Sequence, residues 1–493
     1  MKKCFALLLC CLMLLSSARA ETVLRTQRFK PYEAFTAAHP EVTVQVGEDY
    51  LEPDQLLTKL LTRSMDVDVF YMYSDGIDFT NMIDKGYLLD LSGNEAIREA
   101  VSRMHPALRD YVSRDGAIYA LPYGVSFTSQ MMCHVEVWTE LGYTAADVPK
   151  TFPELLDFLE SWIVRCETDD LPYCVIGGMD ETIYDESTYP QILVWMLMDS
   201  WVQQKEYAGE PLRFNDPVLI GLLERAVRVG KDIYRYCEPR KAGNGQDGRP
   251  LFADANLYLN GTWSKLDDWM IDPRISRDQP TLMMGTVHMV AAYSGTGEPE
   301  LAAEMIAAEL QWLDDRAVGI GATDVCFLYA DAQPLPNPRQ AGELRMTRNY
   351  IAITEHRLAG DDTPLEEYLE LTDSDYDRLK EYDDYTPIGG YRDYAARLQD
   401  MMDRDVEDKL AELQMTLERE EEDAWNFSPE DLAVYKQFAQ TLLIRTPGVF
   451  RTGTDARSNY YDLVDQYIHG LITAPQLVTR LDGIAEMVEL ENQ

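Results

Sequence analysis

Aromatic residues with small polar neighbours follow several predicted strands of this chain. They are Asp49 and Tyr50, Tyr73 with Ser74 and Asp75, Tyr123 with Gly124, Tyr293 with Ser294, and Trp263 in a segment of its own. Ligands of open α/β sheets bind at the carboxyl ends of the strands. Aromatic faces stack on the C–H faces of sugars, and hydroxyl, amide and carboxylate groups bond to sugar hydroxyls. Each aromatic residue alone is more often a core residue, but together they predict a carbohydrate-binding cleft.

The sequence contains no recognisable catalytic or metal-binding motif. Its six histidines do not occur in the H-E-x-x-H spacing of zinc sites, and Gly124-Val-Ser126 lacks the second glycine of a nucleophile elbow. The aspartates at 373–377 begin like a calcium loop, but Arg378 stands where the loop needs glycine. We therefore expect no metal, no cofactor and no enzymatic activity. Because acidic pairs are common in this chain, a glycosidase with two catalytic carboxylates remains an alternative.

The elements around these residues alternate between strand and helix patterns. Strands are predicted at 22–26, 42–46 and 67–72, helices at 32–38 and 79–85, and a later β-like run at 282–292 leads into a helix at 299–313. Strands that alternate with helices of this length predict parallel pairing with right-handed crossovers. The expected fold class is therefore α/β.

The composition excludes some classes of partner. The chain has 493 residues, with 85 acidic and 44 basic side chains and a formal net charge of −41. A negative charge of this size repels nucleic acid and anionic membrane surfaces. The length allows two or three domains, and a hydrophobic content of 46% is sufficient for their cores.

The first twenty residues have the pattern of a secretory signal peptide. Lys2 and Lys3 precede an apolar run from Phe5 to Leu15, and Ala18-Arg19-Ala20 supplies small residues for cleavage. The run is too short to cross a bilayer, which needs about 20 apolar residues. We expect cleavage after Ala20 and a secreted, extracytoplasmic protein.

Five cysteines follow the predicted cleavage site: Cys133, Cys166, Cys174, Cys237 and Cys326. An odd number cannot pair completely within one chain, and the sequence has no C-x-x-C motif among them. Cys166 and Cys174 are close enough in sequence to close a small disulfide loop. Buried free thiols are the alternative.

Several short segments occur in an order typical of one protein family. They include Val42–Val46, Asp66–Phe70, Asp84–Leu91, Asp115–Pro122, Val148–Leu156, Gly261–Trp263 and Leu463–Leu477. In this order they resemble the extracellular solute-binding proteins of ABC importers, of the sugar-binding type. The resemblance covers residues 22–335 in outline and about 455–493.

This resemblance implies a two-lobed, type II periplasmic-binding-protein fold with crossing hinge strands and extra C-terminal helices. Lobe 1 would comprise 21–128 plus 284–335. Lobe 2, which is richer in helix, would comprise 129–283 plus 336–493, with an acidic helical insert at about 340–425. The candidate residues from Asp49 to Ser294 would line the cleft between the lobes.

The resemblance also implies a function and its partners. A monomer would capture a small solute, expected to be a sugar, and deliver it to the permease of an ABC transporter. Besides the glycoside hydrolase, a ligand-sensing protein that keeps the fold without transport is an alternative. Some family members are anchored through a lipobox cysteine. Here Leu9 precedes Cys10 where that motif needs a small residue, which argues against a lipid anchor.

Overall fold

The computed structural model describes most of the chain. The described ranges are 22–27, 32–47, 51–127, 130–168, 173–176, 185–237, 249–255, 263–316, 323–337, 340–360, 406–446 and 455–491. The predicted signal peptide, Asp49 and Tyr50 lie outside these ranges. Within them, no helix has the length and apolar character needed to span a membrane.

The strands are short and occur along most of the chain. They are β1 Thr22–Thr26, β2 Val42–Val46, β3 Val69–Tyr73, β4 Ser113–Arg114, β5 Ala117–Ile118, β6 Leu121–Phe127, β7 Gln130–Cys133, β8 Tyr173–Ile176, β9 Arg249–Ala255, β10 Met283–Ala292, β11 Leu335–Pro336, β12 Trp425–Phe427 and β13 Leu442–Ile444.

Helices occur between the strands throughout the described parts of the chain. They are α1 Tyr32–Ala38, α2 Pro53–Leu61, α3 Phe79–Asp84, α4 Glu95–Arg103, α5 Pro106–Val112, α6 Val135–Glu140, α7 Phe152–Thr168, α8 Thr188–Tyr207, α9 Pro217–Tyr236, α10 Trp263–Trp269, α11 Pro299–Arg316, α12 Thr323–Leu328, α13 Gln340–Leu358, α14 Val406–Asp423, α15 Pro429–Phe438, α16 Asp455–Ile468 and α17 Ala474–Glu491. The predicted mixed α/β class is confirmed.

Local sequence signals set the starts of several helices. Asp78 and Asn94 cap α3 and α4 by accepting hydrogen bonds from backbone N–H groups of the first turn. Asp216 caps α9 in the same way and is followed by Pro217, whose missing N–H costs nothing at that position. Ser428 begins α15 with a reciprocal capping box.

The main sheet contains six strands in the order β13-β10-β3-β1-β2, with β6 on the other side of β10. The parallel pairing predicted from the strand and helix alternation is confirmed for β1, β2 and β3. In contrast, β10 runs antiparallel to β3, with Ala292 opposite Val69, and antiparallel to β6. The carboxyl end of β6 therefore meets β10 near its start, at Gly285, and the carboxyl end of β3 meets the middle of β10, at His288.

A first hydrophobic core surrounds this sheet. Phe70 of β3, Val287 of β10 and Met305 of α11 are at most 1% exposed within it. Full burial of such side chains stabilises the fold by about 1.5–3 kcal/mol each. Helices α10 and α15 also join this core, through Trp263 and Tyr435 respectively.

A second core lies among α7, α8, α9, α16, α17 and the three-stranded sheet β7-β9-β8. Trp162 and Phe252 are fully buried there. Helices α8 and α9 cross closely at Gly230, where a Cβ atom would lie 2.4 Å from the nitrogen of Pro190. That contact requires glycine.

The chain crosses between the two cores at adjacent segments. Met132 belongs to the first core and Cys133 to the second, and the same change occurs between Met270 and Ile271. The two crossings are bridged, because the Ile271 N–H donates to the carbonyl of Met131 over 2.9 Å. The two cores are therefore connected through two adjacent, bridged segments of the chain.

The packing of two ranges differs from the predicted lobe boundaries. Residues 263–270 and 427–442, which the sequence division assigns to lobe 2, contribute to the first core. The physical reason is aromatic packing, since Trp263 and Tyr435 both contact Phe127 of β6. The division into lobes otherwise remains a prediction.

The predicted acidic insert is described at its two ends. There α13 packs against α14, and Arg348 pairs with Glu421 over 2.9 Å. Residues 361–405 lie outside the described residues.

Candidate functional site

A row of half-buried polar and aromatic side chains lies where β3 and β6 end and β10 begins. We call it the tyrosine–histidine face, and its residues are Tyr71, Tyr73, Tyr123, Ser126, Thr286 and His288. Buried neighbours such as Met72 and Val287 point to the opposite side of the sheet, as the period of a strand requires. The face borders the crossing into β7, since β6 ends at Phe127.

His288 lies at the centre of this face. Its Nε2 atom is 2.5 Å from the hydroxyl of Ser126 on the neighbouring strand. The ring of Tyr73 packs edge-on against the imidazole at 4.8 Å, and the ring of Tyr123 does so at 5.9 Å. Three strands therefore hold one histidine between two tyrosines and a serine.

The electrostatics of the face favour a neutral imidazole. Burial lowers the pKa of His288, and the nearby carboxylate of Asp75 opposes this shift without cancelling it. Asp75 also accepts a hydrogen bond from the hydroxyl of Thr286 over 3.3 Å. A neutral imidazole has one donor and one acceptor nitrogen, so the face combines both hydrogen-bonding roles with aromatic surface.

Tyr71 fixes the inner end of the face. Its backbone N–H donates to the Oε1 atom of Gln27 over 2.9 Å. Burial raises the pKa of Tyr71, and the Glu309 carboxylate raises it further, so the phenol stays protonated. The Tyr71 ring packs edge-on against Tyr123 at 5.1 Å, which positions the second tyrosine.

Ser74 has a structural role at the edge of this face. It is 0% exposed, and its hydroxyl accepts from the N–H of Val287 and donates to the carbonyl of Arg445 over 2.7 Å. Strands β3 and β13 meet end to end at this point on the same side of β10. The hydroxyl is therefore engaged within the sheet, whereas the sequence analysis expected it to line the ligand cleft.

Tyr293 and Ser294 lie at the opposite edge of the sheet from Tyr73. The register pairs Tyr73 with His288 and Val69 with Ala292, so Tyr293 is near the start of β3. At about 3.3 Å per residue, this separation along the sheet is roughly 16 Å. The prediction assumed that β10 ends at the same edge as β3, and the antiparallel direction of β10 overturns that assumption.

Trp263 lies in the first core and not on the tyrosine–histidine face. It is 1% exposed, with ring centroids 5.3 Å from Phe127 and 4.9 Å from Tyr435. Phe127 points away from the side of the sheet that carries Ser126, because neighbouring residues of a strand face opposite ways. The indole therefore supports the sheet from the other side.

The structure thus brings together part of the predicted site. Tyr73, Asp75 and Tyr123 converge, and Gly124 is paired with His288 in the same register. Asp49 and Tyr50 lie outside the described residues. Their ligand-binding role stays a prediction.

Sequence reasoning missed the three polar residues that complete the face: Ser126, Thr286 and His288. A signal for two of them was present, because Thr286 and His288 alternate with apolar residues in an otherwise hydrophobic strand. Such alternation indicates one side of a strand that is not fully covered by the core.

A separate groove lies between α13 and α14. It has a volume of about 850 Å³ and is lined by residues that include Arg345, Arg348 and Trp425. Its arginine Arg348 is paired with Glu421, and none of its lining residues belongs to the main sheet. Among the described residues, no group of three or more His, Cys, Asp or Glu side chains is placed to hold a metal ion.

The comparison with protein families finds a match to part of the chain. Residues 30–253 match the family model of the bacterial extracellular solute-binding protein. This match confirms the family resemblance seen in the sequence over that range. Among curated proteins, no significant match to this chain exists.

Several solved structures are similar to this chain at low identity. The cyclic alpha-maltosyl-1,6-maltose binding protein from Arthrobacter globiformis is 12% identical, with 96% of this chain and 100% of that chain covered and a TM-score of 0.49. An ABC substrate-binding protein from Listeria monocytogenes, in complex with cycloalternan, is 12% identical over 95% and 99%, with a TM-score of 0.45. A sugar transporter from Rhizobium etli in an open conformation is 14% identical over 94% and 99%, also with a TM-score of 0.45.

Proposed function

We propose that this protein is an extracytoplasmic carbohydrate-binding protein that captures its ligand on the tyrosine–histidine face and delivers it to an ABC importer. The observation that carries the proposal is the convergence of Tyr73, Tyr123 and His288 on one side of the main sheet. The match of residues 30–253 to a solute-binding family supports it.

The chemistry of the face suits a neutral sugar. The rings of Tyr73 and Tyr123 offer apolar surface for the C–H faces of a pyranose. Thr286, Ser126 and the Asp75 carboxylate offer donors and acceptors for its hydroxyls. The overall charge of −41 disfavours an anionic ligand.

Binding would favour closure of the two cores around the ligand. The paired crossings at Met132 and Met270 can act as hinges, since hinges are few residues that absorb a change in backbone angles. A sugar that contacts both cores stabilises the closed arrangement and shifts the population towards it. The closed monomer would then dock on the permease.

The ligand would be released chemically unchanged, because no reaction follows its binding. The test is a calorimetric titration with neutral oligosaccharides, followed by chromatography of the same mixtures. Saturable binding of one sugar per chain without products supports the proposal. Hydrolysis products would overturn it in favour of a glycoside hydrolase, and the absence of binding to every sugar would exclude carbohydrate capture.

A further inference from the structure

The short helix α10 lies at the second crossing between the two cores. Its first residue, Trp263, belongs to the first core, and its last residue, Trp269, packs against both cores. The chain then passes from Met270 of the first core to Ile271 of the second core. The position of this helix therefore bears on how the two cores are arranged.

Each end of α10 is bound by a charged side chain from a different core. At its start, the carboxylate of Asp431 accepts a hydrogen bond from the N–H of Ser264 over 2.8 Å. Asp431 is 1% exposed and belongs to α15, which packs in the first core. At the other end of α10, the side chain of Lys150 bonds to the last carbonyls of the helix. Lys150 lies between Val148 and Phe152, which are both buried in the second core.

The contacts of Lys150 with α10 match in number the three donors of an ammonium group. Its Nζ atom lies 2.9 Å from the carbonyl oxygen of Asp267, 3.0 Å from that of Asp268 and 3.2 Å from that of Met270. The last carbonyls of a helix lack partners within the helix, and a cation there also interacts favourably with the helix dipole. Burial lowers the pKa of Lys150, and the nearby carboxylate of Asp267 opposes this shift. Because a half-buried ammonium group is costly without hydrogen bonds, these contacts hold it against the helix.

The backbone around Lys150 also holds the chain that follows the crossing. The Nε atom of Arg274 donates to the carbonyl of Lys150 over 3.1 Å, and the N–H of Phe152 donates to the carbonyl of Arg274 over 2.7 Å. The guanidinium of Arg274 also pairs with the buried carboxylate of Asp272 over 3.2 Å. Lys150 therefore binds the chain on both sides of the crossing, through its ammonium group before Ile271 and through its carbonyl after it.

We propose that Lys150 is a positioning residue that fixes the arrangement of the two cores by holding the end of α10 against the second core. Lys150 is not part of the tyrosine–histidine face, so it acts on ligand affinity through this arrangement. The effect on affinity rests on the proposed function, in which a sugar contacts both cores. Without the three bonds, bending at the crossing costs less free energy, and the arrangement that binds sugar is less populated.

Lys150→Met tests the proposal, because it nearly keeps the length of the side chain and removes its charge and its donors. We expect the ligand-free variant to have a larger radius of gyration than the wild type in small-angle scattering, since cores that are less firmly tied sample wider arrangements. Sugar affinity should fall about tenfold if the binding arrangement is populated in about a tenth of the molecules. An unchanged radius of gyration would overturn the proposal. Lys150→Gln, which is also uncharged, provides the same test if Lys150→Met does not fold.

A matched control separates positioning from general loss of stability. Asp482→Ala removes a carboxylate that accepts from the N–H groups of Phe214 and Asn215 over 2.6 and 3.2 Å, within the second core and away from the crossing. This variant should unfold more easily than the wild type but keep the wild-type radius of gyration and sugar affinity. An equal increase in the radius of gyration in Asp482→Ala and Lys150→Met would overturn the proposal.

Lys150→Arg tests whether the cation and its donors are what matter. It keeps the charge and can still donate to the carbonyls of α10, so it should restore most of the affinity and the wild-type radius of gyration. A folded Lys150→Arg protein that behaves like Lys150→Met would overturn the proposal.

The role of Lys150 and the proposed function can fail separately. If the wild type binds no sugar, the proposed function fails, whereas the scattering comparison still tests Lys150 in the absence of ligand. If the wild type binds sugar and Lys150→Met keeps the wild-type radius of gyration, only the role of Lys150 is refuted.

Discussion

The hydroxyl of Ser126 and the Nε2 atom of His288 are 2.5 Å apart across the junction of β6 and β10. Ser126 is next to Phe127, the last residue of β6, and the next described strand, β7, leads into the second core. The contact therefore lies at the end of β6 that is nearer in sequence to the crossing between the two cores.

Replacement of Tyr73 tests whether the face binds sugar. Tyr73→Ala removes a ring that packs on His288, so we expect affinity for the sugar to fall about tenfold, or 1.4 kcal/mol. Tyr293→Ala is the matched control, because Tyr293 lies at the other edge of the sheet. The affinity of this variant for the sugar should stay within about twofold of wild type. Equal losses in the two variants, measured by calorimetry, would contradict the assignment.

His288 should also make stability depend on pH. Burial lowers the pKa of His288 and of His105 below the unfolded value of about 6.5. The unfolded chain then binds protons more readily than the folded one, so this contribution to the free energy of unfolding is fully present above about pH 6.5. It is lost as the pH falls from there towards the folded pKa.

Urea unfolding at about pH 7.5 and about pH 5.5 measures this effect. His288→Gln should lose less stability on acidification than the wild type, because it lacks one of the two imidazoles for which burial lowers the pKa. The control is His469→Gln, since His469 is exposed. If His288→Gln and wild type lose equal stability between the two pH values, the claim that burial keeps His288 neutral is refuted.

Ser74 should matter for stability more than for binding. Ser74→Ala leaves the N–H of Val287 and the carbonyl of Arg445 without their hydroxyl partner, at a cost of about 1–3 kcal/mol. Ser294→Ala serves as the comparison, since the exposed Ser294 hydroxyl donates to the carbonyl of Gly86. A larger loss of unfolding free energy in Ser294→Ala would argue against the role of Ser74 as the junction between β3 and β13.

Trp263 should behave as a core residue. Trp263→Ala is expected to lower the free energy of unfolding by about 3–5 kcal/mol, because its indole is fully buried among aromatic rings. Trp263→Phe keeps much of that packing, so it should remain folded and bind sugar with nearly wild-type affinity. A selective loss of sugar affinity in folded Trp263→Phe would place the indole at the ligand after all.

Local patterns in the sequence were sufficient to predict the first strands of the main sheet. Alternating side chains predicted β1 and β2 at their observed bounds, and the helix predicted at 299–313 corresponds to α11. Polar caps and apolar periodicity are properties of neighbouring residues, so one sequence reveals them.

Local sequence patterns could not predict the direction of β10 or the surroundings of Trp263. A period of two is the same for parallel and antiparallel strands, so the sequence could not show that Tyr293 and Tyr73 lie at opposite edges. An aromatic residue suits a core as well as a ligand.

A crystal structure with the bound sugar would test the central claim most directly. We predict that the ligand stacks on the rings of Tyr73 and Tyr123, bonds to Thr286 or His288, and contacts residues of both cores. A sugar bound instead in the groove between α13 and α14, beside Arg345, would contradict the account.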